Sequence, residues 1–227
     1  MATSGSTDFT ITRDNIIRDA MLEINALDAE EDPTSTELTD ASRMLNMMLK
    51  SWAKFTKIYA TEDIDVTLTP GTESYTIGTG LTIDTDRPLA ILSGRREDSS
   101  GIEVPIEIYS REEYMELPVK STQAPANGVY YDPQLTAKLY VWPTGQTGNT
   151  TLHLTTKRVL EDFDAATDNP DLPQEWYLAI VKNLAKLIHR QFTGRAPDQD
   201  LVQEASFLLS SCTMHDSENT SIMVQPR

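Results

Sequence analysis

Two changes of hydrophobic period divide this chain. Leu38, Ala41, Met44, Leu45, Met48, Leu49, Trp52 and Phe55 recur three and four residues apart. That spacing predicts one apolar stripe along about five turns of helix. From about Tyr59 to Arg158 the period falls to two, and Ile64, Val66 and Leu68 alternate with Asp63, Asp65 and Thr67. Such alternation is the mark of a half-buried strand. The helical period then returns with Trp176, Ile180, Leu184, Leu187 and Ile188. Each helix exposes one apolar stripe that must be buried against something. The simplest arrangement is an α+β fold, in which helices from both ends form an antiparallel bundle around a large inserted antiparallel β region.

Local signals set the expected boundaries. Residues 1–11 read as a flexible arm. Thr12 is placed to cap a helix running to about Leu27, with Ile16, Ile17, Ala20, Met21, Ile24 and Leu27 on one face. The acidic Asp28–Pro33 loop ends it. Thr34-Ser35-Thr36-Glu37 has the spacing of a capping box, in which hydroxyl and carboxylate each satisfy a free backbone N–H. The short loop implies an antiparallel pair, so 12–58 reads as a helical hairpin.

The β region is expected over 59–158. Pro70-Gly71 suggests a hairpin turn leading to Tyr75 and Ile77. Ile102, Val104, Ile106 and Ile108 alternate around Pro105, which lacks a donor and belongs at a sheet edge. Arg95 and Arg96 read as part of an exposed hairpin loop. Ser110–Leu117 suggests one helical turn. Val129–Tyr131, Leu139–Trp142 and Thr150–Thr156 supply further strands. Residues 159–213 hold an acidic linker and a second helical hairpin, with Pro173 in a first turn, Gly194 as a stop, and Leu201, Ala205, Leu208 and Leu209 buried. A tail, 214–227, follows.

Composition narrows the function. With 227 residues and 39% hydrophobic content, the chain can build a core. No apolar run approaches the roughly 18 residues of a membrane span. Met1–Asp8 lacks the basic and apolar regions of a signal peptide. Cys212 is the only cysteine, which suits a reducing cytoplasm and points to a small apolar helix residue. The net charge of −16 argues against a general affinity for nucleic acid. Composition alone favours solubility as the reason for this charge, and the charge also suits a wall past which a duplex slides.

Enzymatic motifs are missing: there is no phosphate loop, nucleophile elbow, zinc-protease helix or Cys-x-x-Cys. His153, His189 and His215 fall on separate elements and read as structural residues. No cofactor or metal is expected. Glu30, Glu31, Asp32, Glu112, Glu113, Glu161 and Asp162 offer carboxylate pairs for a cell-wall hydrolase, but a chain with 35 acidic residues supplies such pairs by accident. The scarce cations are more informative. Lys182, Lys186 and Arg190 share one helix face, and Lys50, Lys54 and Lys57 are expected to share another. They could touch phosphate, and they fit better against acidic loops of a neighbouring subunit, such as Asp28–Asp32 or Glu161–Asp171. In the tail, Ser221, Ile222, Met223, Val224 and Gln225 form an extended-friendly segment able to dock.

Taken together, Leu45-Asn46 through Trp52, the segment ending Tyr75-Thr76-Ile77-Gly78, Leu139-Tyr140-Val141-Trp142-Pro143, and Leu172-Pro173-Gln174-Glu175-Trp176-Tyr177 leading to Asn183-Leu184-Ala185 resemble the tail accessory, or head-completion, proteins of tailed bacteriophages. The resemblance covers about residues 12–212. Phe55-Thr56 departs from it, since many relatives turn with Gly there. The resemblance implies a non-enzymatic virion component at the head-tail interface, assembled in the host cytoplasm. It implies a homo-oligomeric ring, twelve-fold to match the portal, docked beneath the portal protein and offering a platform to the next tail or nozzle protein. Packaged double-stranded DNA would pass through the channel without sequence-specific binding. The composition of the C-terminal segment itself gives the expectation that it docks on the portal or an adjacent subunit.

Overall fold

The computed structural model describes residues 3–216. The Ser221–Gln225 segment lies outside the described residues. The chain divides into two compact units: the stretch up to Tyr59 together with that from Leu160 onward, and the insertion Ala60–Val159.

The first unit is helical. Helix α1 spans Arg13–Glu23, and Thr12 accepts from the Asn15 amide at its start. Helix α2 spans Ser35–Trp52, with the capping box formed: Thr34 accepts from the Glu37 amide, and Glu37 accepts from the Thr34 amide at 2.8 Å. After a 3-10 turn, Gln174–Trp176, helix α4 spans Tyr177–Thr193 and ends at Gly194, whose φ of 71° is a left-handed stop. Helix α5 spans Gln199–His215.

Helix α4 is the hub and packs against α1, α2 and α5. It buries Ile180, Leu184 and Ile188 completely. Trp52 of α2 and Trp176 meet with ring centroids 6.0 Å apart, both almost wholly buried. The α2 stripe ends three residues short of Phe55: the helix stops at Trp52, and Phe55 is 42% exposed. Leu187 also remains exposed, while Leu208 and Leu209 are half-buried. Periodicity assigns a residue to a face, but not how far neighbouring elements cover that face.

The N-terminal segment is tied down in part. Phe9 lies 6.2 Å from the Tyr177 ring, and Gln174 donates to the Thr7 carbonyl at 2.8 Å. The acidic linker is also ordered by bonds. Asn46 clasps Phe163, donating to its carbonyl at 3.2 Å and accepting from its amide at 2.9 Å. Asp168 accepts from the Asp164 and Ala165 amides, and Asp171 accepts from the Glu161 amide. These carboxylates fold the loop that carries them.

The second unit contains β1 (Thr61–Thr67), β2 (Ser74–Ile77), β3 (Ala90–Asp98), β4 (Glu103–Pro105), β5 (Glu107–Tyr109), the short α3 (Arg111–Glu116), β6 (Gly128–Asp132), β7 (Ala137–Trp142) and β8 (Asn149–Lys157). Two four-stranded sheets, ordered β1-β8-β3-β4 and β2-β7-β6-β5, share one core of Ile64, Val66, Tyr75, Ile77, Val129, Leu139, Val141, Leu152 and Leu154. All pairings are antiparallel except β5 with β6.

Contrary to the sequence expectation, β1 and β2 are not a hairpin. The chain leaves the edge of one sheet, turns at Gly71 (φ 78°), and enters the edge of the other. At the far edges β4 passes into β5 in the same way through Ile106, whose amide donates to Gly94 in the first sheet. Alternation shows that a strand has one buried face, but not which strand lies beside it. Arg95 and Arg96 likewise lie within β3 rather than in the loop after it. Pro105 does fall on an edge strand, where a missing donor costs least.

Candidate interaction surfaces

The six expected contact cations have different surroundings. Lys50 donates to the Leu160 carbonyl at 2.6 Å and lies 3.1 Å from Asp162. It fastens α2 to the acidic linker of its own chain. Lys182 bridges Glu23 of α1 at 2.7 Å and Glu204 of α5 at 2.9 Å. Burial opposes its charge, and the two carboxylates outweigh that effect, so its pKa is raised. Lys186 donates to Asn183 at 2.9 Å. Asn183 is itself buried and joins α4 to α5 through the Ala205 carbonyl. Arg190 is exposed and has no ion pair among the described residues. The basic face of α4 is therefore largely an internal tie.

Lys54 and Lys57 do not extend the α2 face, because α2 ends at Trp52. They lie instead in the turn that follows, beside Phe55, Ile58 and Tyr59, and all five are exposed. The Phe55 and Thr56 amides fold back onto the Trp52 carbonyl to make this turn. Its shape is then held by Asp216, at the end of α5. That carboxylate is fully buried and accepts from the amides of Lys57, Ile58 (2.6 Å) and Tyr59 (3.4 Å). One charge satisfying several backbone donors makes a firm support. The turn exposes Phe55 and Ile58 in a segment that also carries Lys54 and Lys57.

At the opposite end of α4 is a concavity of about 870 Å³. Glu23, Asp198, Asp200 and Glu204 line it, together with Arg195, His189, Ile24 and Phe192. Asp198 occupies the N-cap of α5 without accepting a capping bond. Neither Asp198 nor Asp200 has an ion pair among the described residues. His189 engages Thr193 at 3.0 Å and the Arg195 carbonyl at 3.1 Å through Nδ1. Its Nε2 has no partner among the described residues. With Lys182 beneath it, the concavity still carries more negative than positive charge.

The sequence offered weak signals for these features. Asp216 lies in a polar stretch, and its partners are 157–159 positions away. The exposure of Phe55 and Ile58 depends on where α2 stops. Asp198, after Pro197 and before an apolar helix, was legible as a cap; that its carboxylate makes no capping bond was not.

Four of the seven candidate carboxylates have local partners, Glu31 among them through the Asp28 amide. Asp32 pairs with Arg18 at 3.1 Å, Asp162 with Lys50, and Glu113 caps Ser110 in α3. The Ser110 amide holds Glu113 below its ordinary range. None of the seven lines the concavity or a groove of about 380 Å³ beside β1. His153 in β8 is held between Asp65 at 2.6 Å and Glu97 at 2.9 Å. The Cys212 thiol faces the Glu175 carbonyl at 3.4 Å, and burial raises its pKa, the reverse of an activated nucleophile. Among the described residues, no cluster has the geometry of a metal site, and no helix is long and apolar enough to cross a membrane.

Comparison with curated proteins finds no match. A family model does match, described as the SU10 adaptor protein, over residues 11–208. That span takes in α1 to α4, both sheets and most of α5. The chain belongs to the SU10 adaptor protein family, a family of phage head-tail adaptors.

Proposed function

We propose that this chain is the subunit of a ring that docks beneath the portal of a tailed phage, extends its DNA channel, helps to retain packaged DNA and carries the next tail component. Family membership over residues 11–208 is the observation that carries this reading. The net charge of −16 supports a channel that duplex DNA traverses without adhering. Ring closure requires two different patches on each subunit. Lys54, Lys57 and Arg190 are proposed to meet a neighbouring subunit. Lys50, Lys182 and Lys186 hold the helical unit in shape. Ser221–Gln225 is proposed to dock on the portal or an adjacent subunit, and the portal, the downstream tail or nozzle protein and passing duplex DNA are the proposed partners.

The reading is tested by co-sedimenting the purified chain with portal particles. Saturable binding at one chain per portal subunit is expected. Failure to bind, or binding at unrelated ratios, contradicts it.

A further inference from the structure

We infer that Asp216 positions the docking segment: its carboxylate latches the end of α5 onto the turn between α2 and β1 and so fixes where the chain leaves the helical unit. The inference rests on the reading that Ser221–Gln225 docks on the portal or an adjacent subunit.

Helix α5 is held unevenly along its length. Its first half buries Leu201 and Ala205, and the buried Asn183 of α4 donates to the Ala205 carbonyl at 2.9 Å. From Ser206 to His215, about three turns, no residue is buried, and Phe207 and Met214 are 70% and 76% exposed. A helix draws most of its stability from the apolar face it packs, and this half packs little. The Cys212 thiol, 3.4 Å from the Glu175 carbonyl, is a weak tie.

At the end of the helix the situation reverses. Asp216 is fully buried. Its amide donates to the Cys212 carbonyl at 3.0 Å, and its carboxylate accepts from the amides of Lys57, Ile58 and Tyr59, the Ile58 bond being 2.6 Å long. A carboxylate leaves water only where hydrogen bonds replace its hydration, and backbone donors do so here. The same bonds give an acceptor to amides that lie between α2 and β1, outside any helix or strand. Carboxylate and turn therefore depend on each other, and the half of α5 that packs least is fastened at its far end.

This fastening sets the length of the tether that follows. About four residues separate Asp216 from Ser221. With the latch open and Ser206–His215 freed, the tether grows to about fifteen residues. Local concentration falls as roughly the −3/2 power of tether length, so docking weakens on the order of fivefold or more.

The test uses the full-length chain and portal particles. Asp216→Asn keeps the size of the side chain and turns one acceptor into a donor. It should weaken assembly on the portal by that factor. Hydrogen exchange should be faster at the Lys57–Tyr59 amides and along Ser206–His215, with α4 protected as in wild type. A chain ending at Thr220 lacks the docking segment and should assemble weakly. Adding Asp216→Asn to it should cause no further loss, because the latch then has nothing to position. A merely structural Asp216 would weaken both backgrounds equally. That result overturns the inference, as does wild-type assembly by Asp216→Asn, unchanged exchange at Lys57–Tyr59, or loss of α4 protection. Full assembly by the chain ending at Thr220 overturns the docking reading itself, and this inference with it.

Discussion

Lys182 shows how one side chain can change its meaning between sequence and structure. By spacing it belongs to a basic helix face suited to a neighbour. In the fold it is mostly buried between Glu23 and Glu204. Lys182→Glu would gather three carboxylates where α1, α4 and α5 meet. We expect it to lower monomer stability by about 1–2 kcal/mol, allowing for solvent screening of its half-exposed partners. Chemical denaturation measures this, and an unchanged midpoint contradicts it. Arg190→Glu, on an exposed side chain, should leave that midpoint unchanged.

His153 gives a pH dependence. Hydrogen bonds to Asp65, then Glu97, raise its pKa above the ordinary 6.5, with burial opposing and Glu103 assisting. Arg95 on the adjoining strand is occupied by Glu103 at 2.5 Å. A raised folded-state pKa means that the protonated ring stabilises the fold. That stabilisation is complete below the unfolded value of 6.5 and is lost as pH rises through the higher folded value. Thermal unfolding of wild type minus His153→Gln, followed across this window, should show the difference shrinking as pH rises. A flat difference contradicts the assignment.

Among the elements, α2 is pinned to the helical unit at two points. Trp52 and Trp176 are 3% and 2% exposed and pack on each other, so Trp52→Ala should cost about 3–5 kcal/mol. Asn46, six residues earlier, holds the acidic linker by both ends of its amide. Asn46→Ala should cost about 1–3 kcal/mol, since it strands two partly buried backbone groups. Calorimetry distinguishes the two sizes of effect, and a neutral Asn46→Ala would mean that the clasp is ornamental. Both residues lie in the stretch that carried the family resemblance, yet only Trp52 had a role legible from spacing. Helix caps, apolar stripes and edge-strand Pro105 were readable because each is decided within a few residues. The sheet assignment of β1 and β2 was not, because both take partners from the distant strands β8 and β7. The candidate surfaces were hidden for the same reason. They depend on where α2 stops and on Asp216, far along the chain.

For the whole molecule, the SU10 adaptor match and the α+β architecture describe a scaffold whose polar side chains mostly tie its own elements together. Several of the clustered carboxylates cap, clasp or pair locally. Outward-facing features of the helical unit include an exposed turn after α2 and an acidic concavity. We propose that such a subunit closes into a ring matched to the portal. Native mass spectrometry of the full-length chain, alone and with portal particles, tests it most directly. A closed oligomer on the portal, with a copy number equal to the portal's own, is the expected result. A chain that remains monomeric on addition of portal, or that forms only a two-fold symmetric dimer, would contradict it.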